Sequence, residues 1–194
     1  MPRVGLTPDA VVDHALALID DEGLEALTLA GVAARAGVAT PSLYKHVPGG
    51  LGALRRLVAV RVTSDLADLL ARETAGRTED AAVEALLRGY HRYATDHPHR
   101  YAALPQATPA QPDDELLEAA ARLVGTILEV LRDYGIERSE AIHAARTVRA
   151  VAHGFASLTI GGGYQLAEDL AVTQRRLVGV LTDGLRNWPS DEIG

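Results

Sequence analysis

The sequence of 194 residues contains no cysteine. A disulfide scaffold, a cysteine nucleophile and a thiolate metal site are therefore all excluded. No apolar run approaches the roughly 20 residues that cross a bilayer, and residues 1–13 lack the basic-then-apolar pattern of a signal peptide. We therefore expect a cytoplasmic protein that makes no contact with a membrane.

Alternating runs of β-branched residues are also absent, and aromatic residues make up only 4 % of the chain. Alanine and leucine dominate, and apolar residues recur at helical spacing, for example at Val12, Ala15, Leu16 and Ile19. Glycine and proline separate the periodic segments. The sequence predicts an all-α fold of about nine helices, over residues 8–22, 28–36, 40–47, 51–73, 78–96, 99–104, 113–134, 139–161 and 167–188, with a mobile loop at 107–113.

Acidic residues are missing from one long stretch, residues 26–64. Five basic residues give this stretch a charge of +5, although the net charge of the whole chain is −7. Such segregation favours a basic face for nucleic acid on an acidic body, with chance clustering as the alternative. The five are Arg35, Arg55, Arg56, Arg61 and Lys45, the only lysine.

Two short predicted helices, residues 28–36 and 40–47, are joined by a turn at Gly37 and form a helix-turn-helix. Threonines stand at both helix starts as possible N-caps. Small alanines let the two helices cross closely, and Leu43 fills the space between them. The second helix then turns its other face toward the DNA major groove. The candidate DNA-binding residues are Thr28, Thr40, Pro41, Ser42, Tyr44, Lys45 and His46.

At this point the chain resembles the TetR family of regulators. The resemblance rests on Ala36-Gly-Val38, followed five residues later by Leu43-Tyr-Lys-His46, and it extends over residues 7–60. It implies a three-helix, homeodomain-like DNA-binding head and a helical C-terminal domain for ligand binding and dimerisation. It also implies a homodimeric repressor that a small-molecule effector releases from a palindromic double-stranded DNA operator. We place the domain division at 1–50 and 51–194.

The C-terminal half resembles the His-Gly, or "WHG", branch of this family. The similarity rests on His97-Pro98, with Tyr101 three residues later, and on His153-Gly154. The tryptophan that often precedes His-Gly in that branch is missing.

The turn after the second helix departs from the family pattern. The family commonly has a phosphate-binding lysine at the start of the fourth helix, where this chain has Gly50, and Val47 stands where phenylalanine is usual. Backbone N–H groups at the new helix start can replace that phosphate contact, or Arg55 can.

The last two predicted helices carry long apolar stripes, which core packing explains in part. The resemblance implies a dimer built from these helices, and a dimer would set two heads about 34–36 Å apart on a palindrome. The candidate interface residues are Val151, Phe155, Leu158, Leu177, Val178 and Leu181. The candidate ligand-binding residues are Tyr90, Tyr93, Tyr101, Leu104, Leu123, Ile127 and Arg149.

Enzyme signatures are missing from the chain. It has no nucleophile elbow, no phosphate loop and no zinc-ligand spacing, and His91, His97 and His99 are poorly spaced for a metal. We therefore expect no catalytic residue, metal or cofactor. The hypothesis is a ligand-responsive DNA-binding regulator, and the alternative is a helical module that lacks either the DNA-binding or the ligand-binding activity.

Overall fold

A computed structural model describes residues 6–104 and 113–189. This part of the chain contains helices and no strand, so the predicted all-helical fold with about nine helices is confirmed. A one-turn 3₁₀ helix, Leu24–Ala26, follows the first α-helix. The α-helices are α1 (Pro8–Glu22), α2 (Leu29–Ala36), α3 (Thr40–Leu43), α4 (Gly50–Thr74), α5 (Glu79–Asp96), α6 (Pro98–Tyr101), α7 (Asp114–Arg132), α8 (Arg138–Ile160) and α9 (Leu170–Arg186).

The ends of α1 and α2 follow local rules and were predicted correctly. Thr7 Oγ1 accepts the N–H of Ala10, and Thr28 Oγ1 accepts the N–H of Gly31, each at 3.1 Å. These bonds satisfy amides that have no partner inside a helix. At the other end of α2, Gly37 has φ +67°, a backbone conformation that favours glycine.

Helix α3 is shorter than predicted, and Thr40 does not cap it. The N-cap is Ala39, because its carbonyl accepts the N–H of Ser42 at 2.8 Å. No side chain caps this helix start. The helix assignment ends at Leu43, but the N–H of Val47 still donates to the Leu43 carbonyl at 2.8 Å. The chain therefore keeps a helical course through residues 44–46.

Helix α9 begins at Leu170 and not at residue 167, because Asp169 provides the N-cap by accepting the N–H of Ala171 at 2.8 Å. The loop predicted at residues 107–113 lies, except for Asp113, outside the described residues. No helix within the described ranges is long and apolar enough to cross a membrane.

Packing divides the chain into two compact units. The first contains residues 1–64 and 97–119, and the second contains residues 65–96 and 120–194. The first unit thus includes α6 and the start of α7 as well as the helix-turn-helix. The domain division at residue 50 stays a prediction. It differs from the first packing unit, which extends to residue 64 and also includes residues 97–119.

In the first unit, α1 and α2 pack closely at Gly31. A Cβ added at Gly31 would lie 3.0 Å from Leu18 Cδ2 and 3.1 Å from Thr28 Oγ1, which is tighter than ordinary van der Waals contact. The core below contains buried apolar side chains from four helices and the segments between them, namely Val11, Val12, Ala15, Leu16, Ile19, Leu27, Val32, Ala33, Leu43, Val47, Leu54 and Val58.

Helix α6 is fastened to the C-terminal end of α1 in the same unit. His99 Nδ1 lies 3.1 Å from both the Ile19 and the Asp20 carbonyl oxygens, and because these only accept, Nδ1 carries the proton. The guanidinium of Arg100 donates to both Asp20 carboxylate oxygens, at 2.8 and 2.5 Å. Tyr101, the next residue after Arg100, is buried. We call this set of contacts the α1–α6 clasp.

In the second unit, α8 packs on α5, and α9 packs on both. His91 of α5 lies with its ring centroid 4.9 Å from that of Phe155 and its Nε2 3.3 Å from Thr159 Oγ1. Burial lowers the pKa of His91, and burial and the charge of Arg149 lower that of His153. Both histidines are therefore more readily neutral here than in an unfolded chain.

The α1–α6 clasp predicts a measurable stability loss. Arg100→Gln removes a two-point charged hydrogen bond that is only partly exposed, so we expect the free energy of unfolding to fall by about 1 kcal/mol. Arg88→Gln, which breaks the more exposed pair with Glu84, is the control and should lower the free energy of unfolding by only a few tenths of a kcal/mol. Thermal unfolding measures both, and an equal loss in the two variants would contradict a special role for the clasp.

The buried histidines predict a pH dependence. An unfolded histidine takes up its proton near pH 6.5, the ordinary value, but folded His91 takes it up only at lower pH. The free energy of unfolding should therefore fall as the pH drops below 6.5. His91→Gln should make this fall shallower, and His143→Gln on the exposed face of α8 should not. Urea titrations at several pH values test this, and an unchanged slope in His91→Gln would refute it.

Candidate functional site

The helix-turn-helix is held together by its turn and by two buried anchors. At Gly37 the chain reverses, and the N–H of Val38 bonds back to the Ala33 carbonyl at 3.0 Å. Leu43 and Val47 are 0 % and 1 % exposed. With both anchors in the core, the residues between them are forced to the outside.

Six of the seven candidate DNA-binding residues lie on one short stretch, residues 40–46, and Thr28 lies at the start of α2. Tyr44 is 53 % exposed, and Lys45 and Pro41 are also exposed. Thr40, Ser42 and His46 are half-buried. Thr28 is exposed, but its hydroxyl oxygen already accepts the cap hydrogen bond of α2. We call residues 40–46 the recognition face.

The positive charges of residues 26–64 are less available to a ligand than the composition indicates. Arg35 pairs with Asp21, Arg61 pairs with Asp9 and Asp13, and Arg56 pairs with Asp113 and Glu115. The acids come from outside the stretch, so counting charges along the sequence missed them. Lys45 and Arg55 are the two cations of this stretch that form no ion pair within residues 6–104 and 113–189.

Gly50 is the first residue of α4, and its backbone explains the departure from the family pattern. Its φ is +69°, and Gly49 before it has φ +105°, values that side-chain-bearing residues rarely adopt. A Cβ added at Gly50 would lie 3.6 Å from Tyr44 Cε1, an ordinary contact distance. A lysine here is disfavoured by backbone strain and not by lack of space.

The candidate ligand-binding residues fall into both units. Tyr101 and Leu104 belong to the first unit, and the other five belong to the second. Most are buried, whereas Leu104 and Leu123 are half-buried and Arg149 is exposed. An aromatic cluster that sequence reasoning missed lies in the second unit, where Phe155 contacts His91 at 4.9 Å and Tyr164 at 5.5 Å between ring centroids.

The candidate dimer residues divide by exposure. Phe155 and Leu181 are buried within the protomer, and Val151, Leu177 and Val178 are half-buried. Leu158 is 49 % exposed. Three exposed apolar residues of these two helices were not predicted: Val180 on α9, 74 % exposed, and Ile142 and Ile160 on α8. Exposed leucine and valine on long helices are the side chains that a partner can cover.

Solved structures share this fold. A protein from Rhodococcus sp. RHA1 superimposes with a TM-score of 0.77 at 21 % identity, covering 95 % of this chain and 96 % of that one. A TetR variant from Acinetobacter baumannii, in complex with minocycline, superimposes with a TM-score of 0.70 at 18 % identity, covering 96 % and 100 %. At such identities the likeness shows the fold alone.

Sequence relatives are closer. The chain is 36 % identical over 157 residues to Rv0681, an HTH-type transcriptional regulator of Mycobacterium tuberculosis, covering 81 % of this chain and 72 % of that protein. It is 32 % identical over 169 residues to YobS, an HTH-type transcriptional regulator of Bacillus subtilis, covering 87 % of each.

Two family models match separate parts of the chain. The model for bacterial regulatory proteins of the tetR family matches residues 11–48, which contain α1, α2 and α3. The model for the tetracyclin repressor-like C-terminal domain matches residues 83–181. Together with the two relatives, these matches confirm the resemblance carried by residues 36–46: the chain belongs to the TetR family of DNA-binding transcriptional regulators, which are not enzymes.

Proposed function

We propose that the chain is a dimeric repressor that reads a palindromic operator through the recognition face and leaves it when a small effector binds. The observation that carries the proposal is the exposure of Tyr44 and Lys45, with half-buried His46 beside them, between the buried anchors Leu43 and Val47. Side chains at the start of a recognition helix, here Thr40, Pro41 and Ser42, reach base edges. Lysine, tyrosine and histidine bind phosphates, which suits the three residues that follow α3.

Contacts to the DNA backbone come from few cations in this proposal. Lys45 is the one cation of the recognition face, and it is free of ion pairs within the described ranges. The amides at the start of α4 replace the missing lysine, because a helix N-terminus attracts phosphate. The first turn of α4 contains no acidic residue to oppose this. Few phosphate contacts imply a shallow salt dependence of operator binding.

Dimerisation supplies the affinity that one short helix lacks. Two heads bind two half-sites at once, so each adds to the other's effective concentration. We place the interface on α8 and α9, where Leu158 and Val180 are exposed. A Cβ added at Gly154, Gly179 or Gly184 meets nothing within 4 Å in the protomer, so a partner helix has room to approach there.

The effector binds in the C-terminal domain among buried tyrosines and aliphatic side chains, according to this proposal. Tyr90, Tyr93 and Ile127 are buried apolar residues of the second unit, the type that lines small-molecule sites. Minocycline bound to the Acinetobacter baumannii structure supports an effector of small-molecule size. Effector binding would favour a dimer conformation in which the distance between the two DNA-binding heads no longer matches the two half-sites, and the operator would be released. As a DNA-binding regulator, the protein works in the cytoplasm.

Substitutions on the recognition face should weaken operator binding without unfolding the protein. Lys45→Ala and Tyr44→Ala should each raise the Kd about tenfold or more, because each is lost twice per dimer. Lys45→Ala should also reduce the slope of log K against log salt by about 2. Fluorescence anisotropy at several salt concentrations measures both effects.

Arg72→Ala, an exposed arginine farther along α4, is the matched control and should leave binding unchanged. Unchanged affinity in both Lys45→Ala and Tyr44→Ala would refute the recognition face. Purely non-specific binding by the unmodified protein would favour the alternative of a helical module whose DNA-binding activity is lost, for which Gly50 in place of lysine is the motivating observation.

The dimer proposal predicts that charge on the exposed stripe separates the protomers. Leu158→Asp and Val180→Asp should give monomers with unchanged circular dichroism, since neither side chain belongs to the protomer's own core. Val124→Asp, on the exposed face of α7, should remain dimeric. Sedimentation velocity measures the state, and dimers in both stripe variants would count against this interface.

A further inference from the structure

A cavity of about 210 Å³ lies within the first unit. Its walls come from three places: the 3₁₀ turn after α1, the start of α4 and the turn after α6. Its volume is below the roughly 300–1,000 Å³ of drug-sized ligand sites. The lining residues are Leu24, Glu25, Arg55, Val58, Ala102 and Ala103.

The cavity is built from fixed elements. The N–H of Ala103 bonds to the Arg100 carbonyl at 2.8 Å, and Arg100 is itself held by Asp20 in the α1–α6 clasp. Val58, at 1 % exposure, forms the apolar floor. The 3₁₀ turn is closed by the N–H of Leu27 bonding to the Leu24 carbonyl at 3.2 Å. A ligand would therefore meet a largely preformed site.

The charges at the cavity are of opposite sign and are both unused. Glu25 and Arg55 are exposed, and no ion pair joins them to each other or to another residue of the described chain. By contrast, Arg35, Arg56 and Arg61 of the same unit are all paired. An anion would gain from Arg55 but be repelled by Glu25, and a cation the reverse.

We propose that this cavity binds a small aliphatic zwitterion, an amino acid of about the size of leucine. Its carboxylate pairs with Arg55, its ammonium pairs with Glu25, and its alkyl group covers Val58 and the two alanines. Such a ligand satisfies both charges at once and fits the small volume. The site goes beyond the effector site proposed in the C-terminal domain, and it adjoins the turn that leads into α2.

L-leucine, 4-methylpentanoate and 3-methylbutylamine form a matched set of probes. The second keeps only the carboxylate, and the third keeps only the ammonium. In amide NMR titrations of the full chain without DNA, leucine should give saturable shifts at residues 24–26, 55–58 and 102–103. The two single-charge analogues should bind about tenfold more weakly or worse, because each leaves one charge at the cavity unpaired.

Variants test whether leucine binds in this cavity. Arg55→Gln and Glu25→Gln should each weaken leucine binding about tenfold, and Ala103→Leu, which fills the space without changing charge, should abolish it. Arg72→Gln is the control and should bind as the unmodified protein does. The readout is leucine binding alone, so a DNA-contacting role for Arg55 does not affect it.

Three results would overturn the proposal. The first is the absence of saturation up to about 10 mM leucine, where even a millimolar site is filled. The second is binding that persists in all three cavity variants, which would place leucine elsewhere. The third is equal binding of leucine and 4-methylpentanoate, which would make the ligand an acid. If Ala103→Leu fails to fold, the two charge variants decide the question.

Discussion

The burial of Leu43 and Val47 is the constraint on which the DNA-binding function depends. Helix α3 spans only Thr40–Leu43, and a helix of one turn has no stability of its own in water. Tertiary packing must hold it, and these two apolar side chains provide that packing at 0 % and 1 % exposure. Tyr44, Lys45 and His46 lie between them and are positioned by a core that they do not enter.

Ion pairs then decide how much positive charge remains for DNA. Three arginines of the acid-free stretch are neutralised by acids from α1 and from residues 113–115. These exposed pairs add little stability, but they remove cations from the surface that a phosphate would meet. Fewer unpaired cations are therefore left in this stretch for phosphates than its composition indicates.

Local rules were enough to predict the helices, but they could not predict the contacts between residues far apart in the sequence. Thr7, Thr28 and Gly37 act on neighbouring amides, so the sequence alone located the ends of α1 and α2. Asp20 and Arg100 are 80 residues apart, and no local pattern indicates that they meet. The same limit applies to Phe155, whose apolar stripe indicated an interface although its side chain is buried within the protomer. The narrower His-Gly branch assignment stays a prediction.

Selection of binding sites from a random DNA library tests the central claim most directly. A dimer that presents two recognition faces should enrich a palindrome whose half-site centres are about 10–10.5 base pairs apart, or a multiple of that spacing. The half-site bases should change when Ser42, at the start of α3, is substituted, whereas Lys45→Ala should weaken binding to all sequences alike. Failure to enrich any sequence, or enrichment of one that has no inverted repeat, would contradict the account.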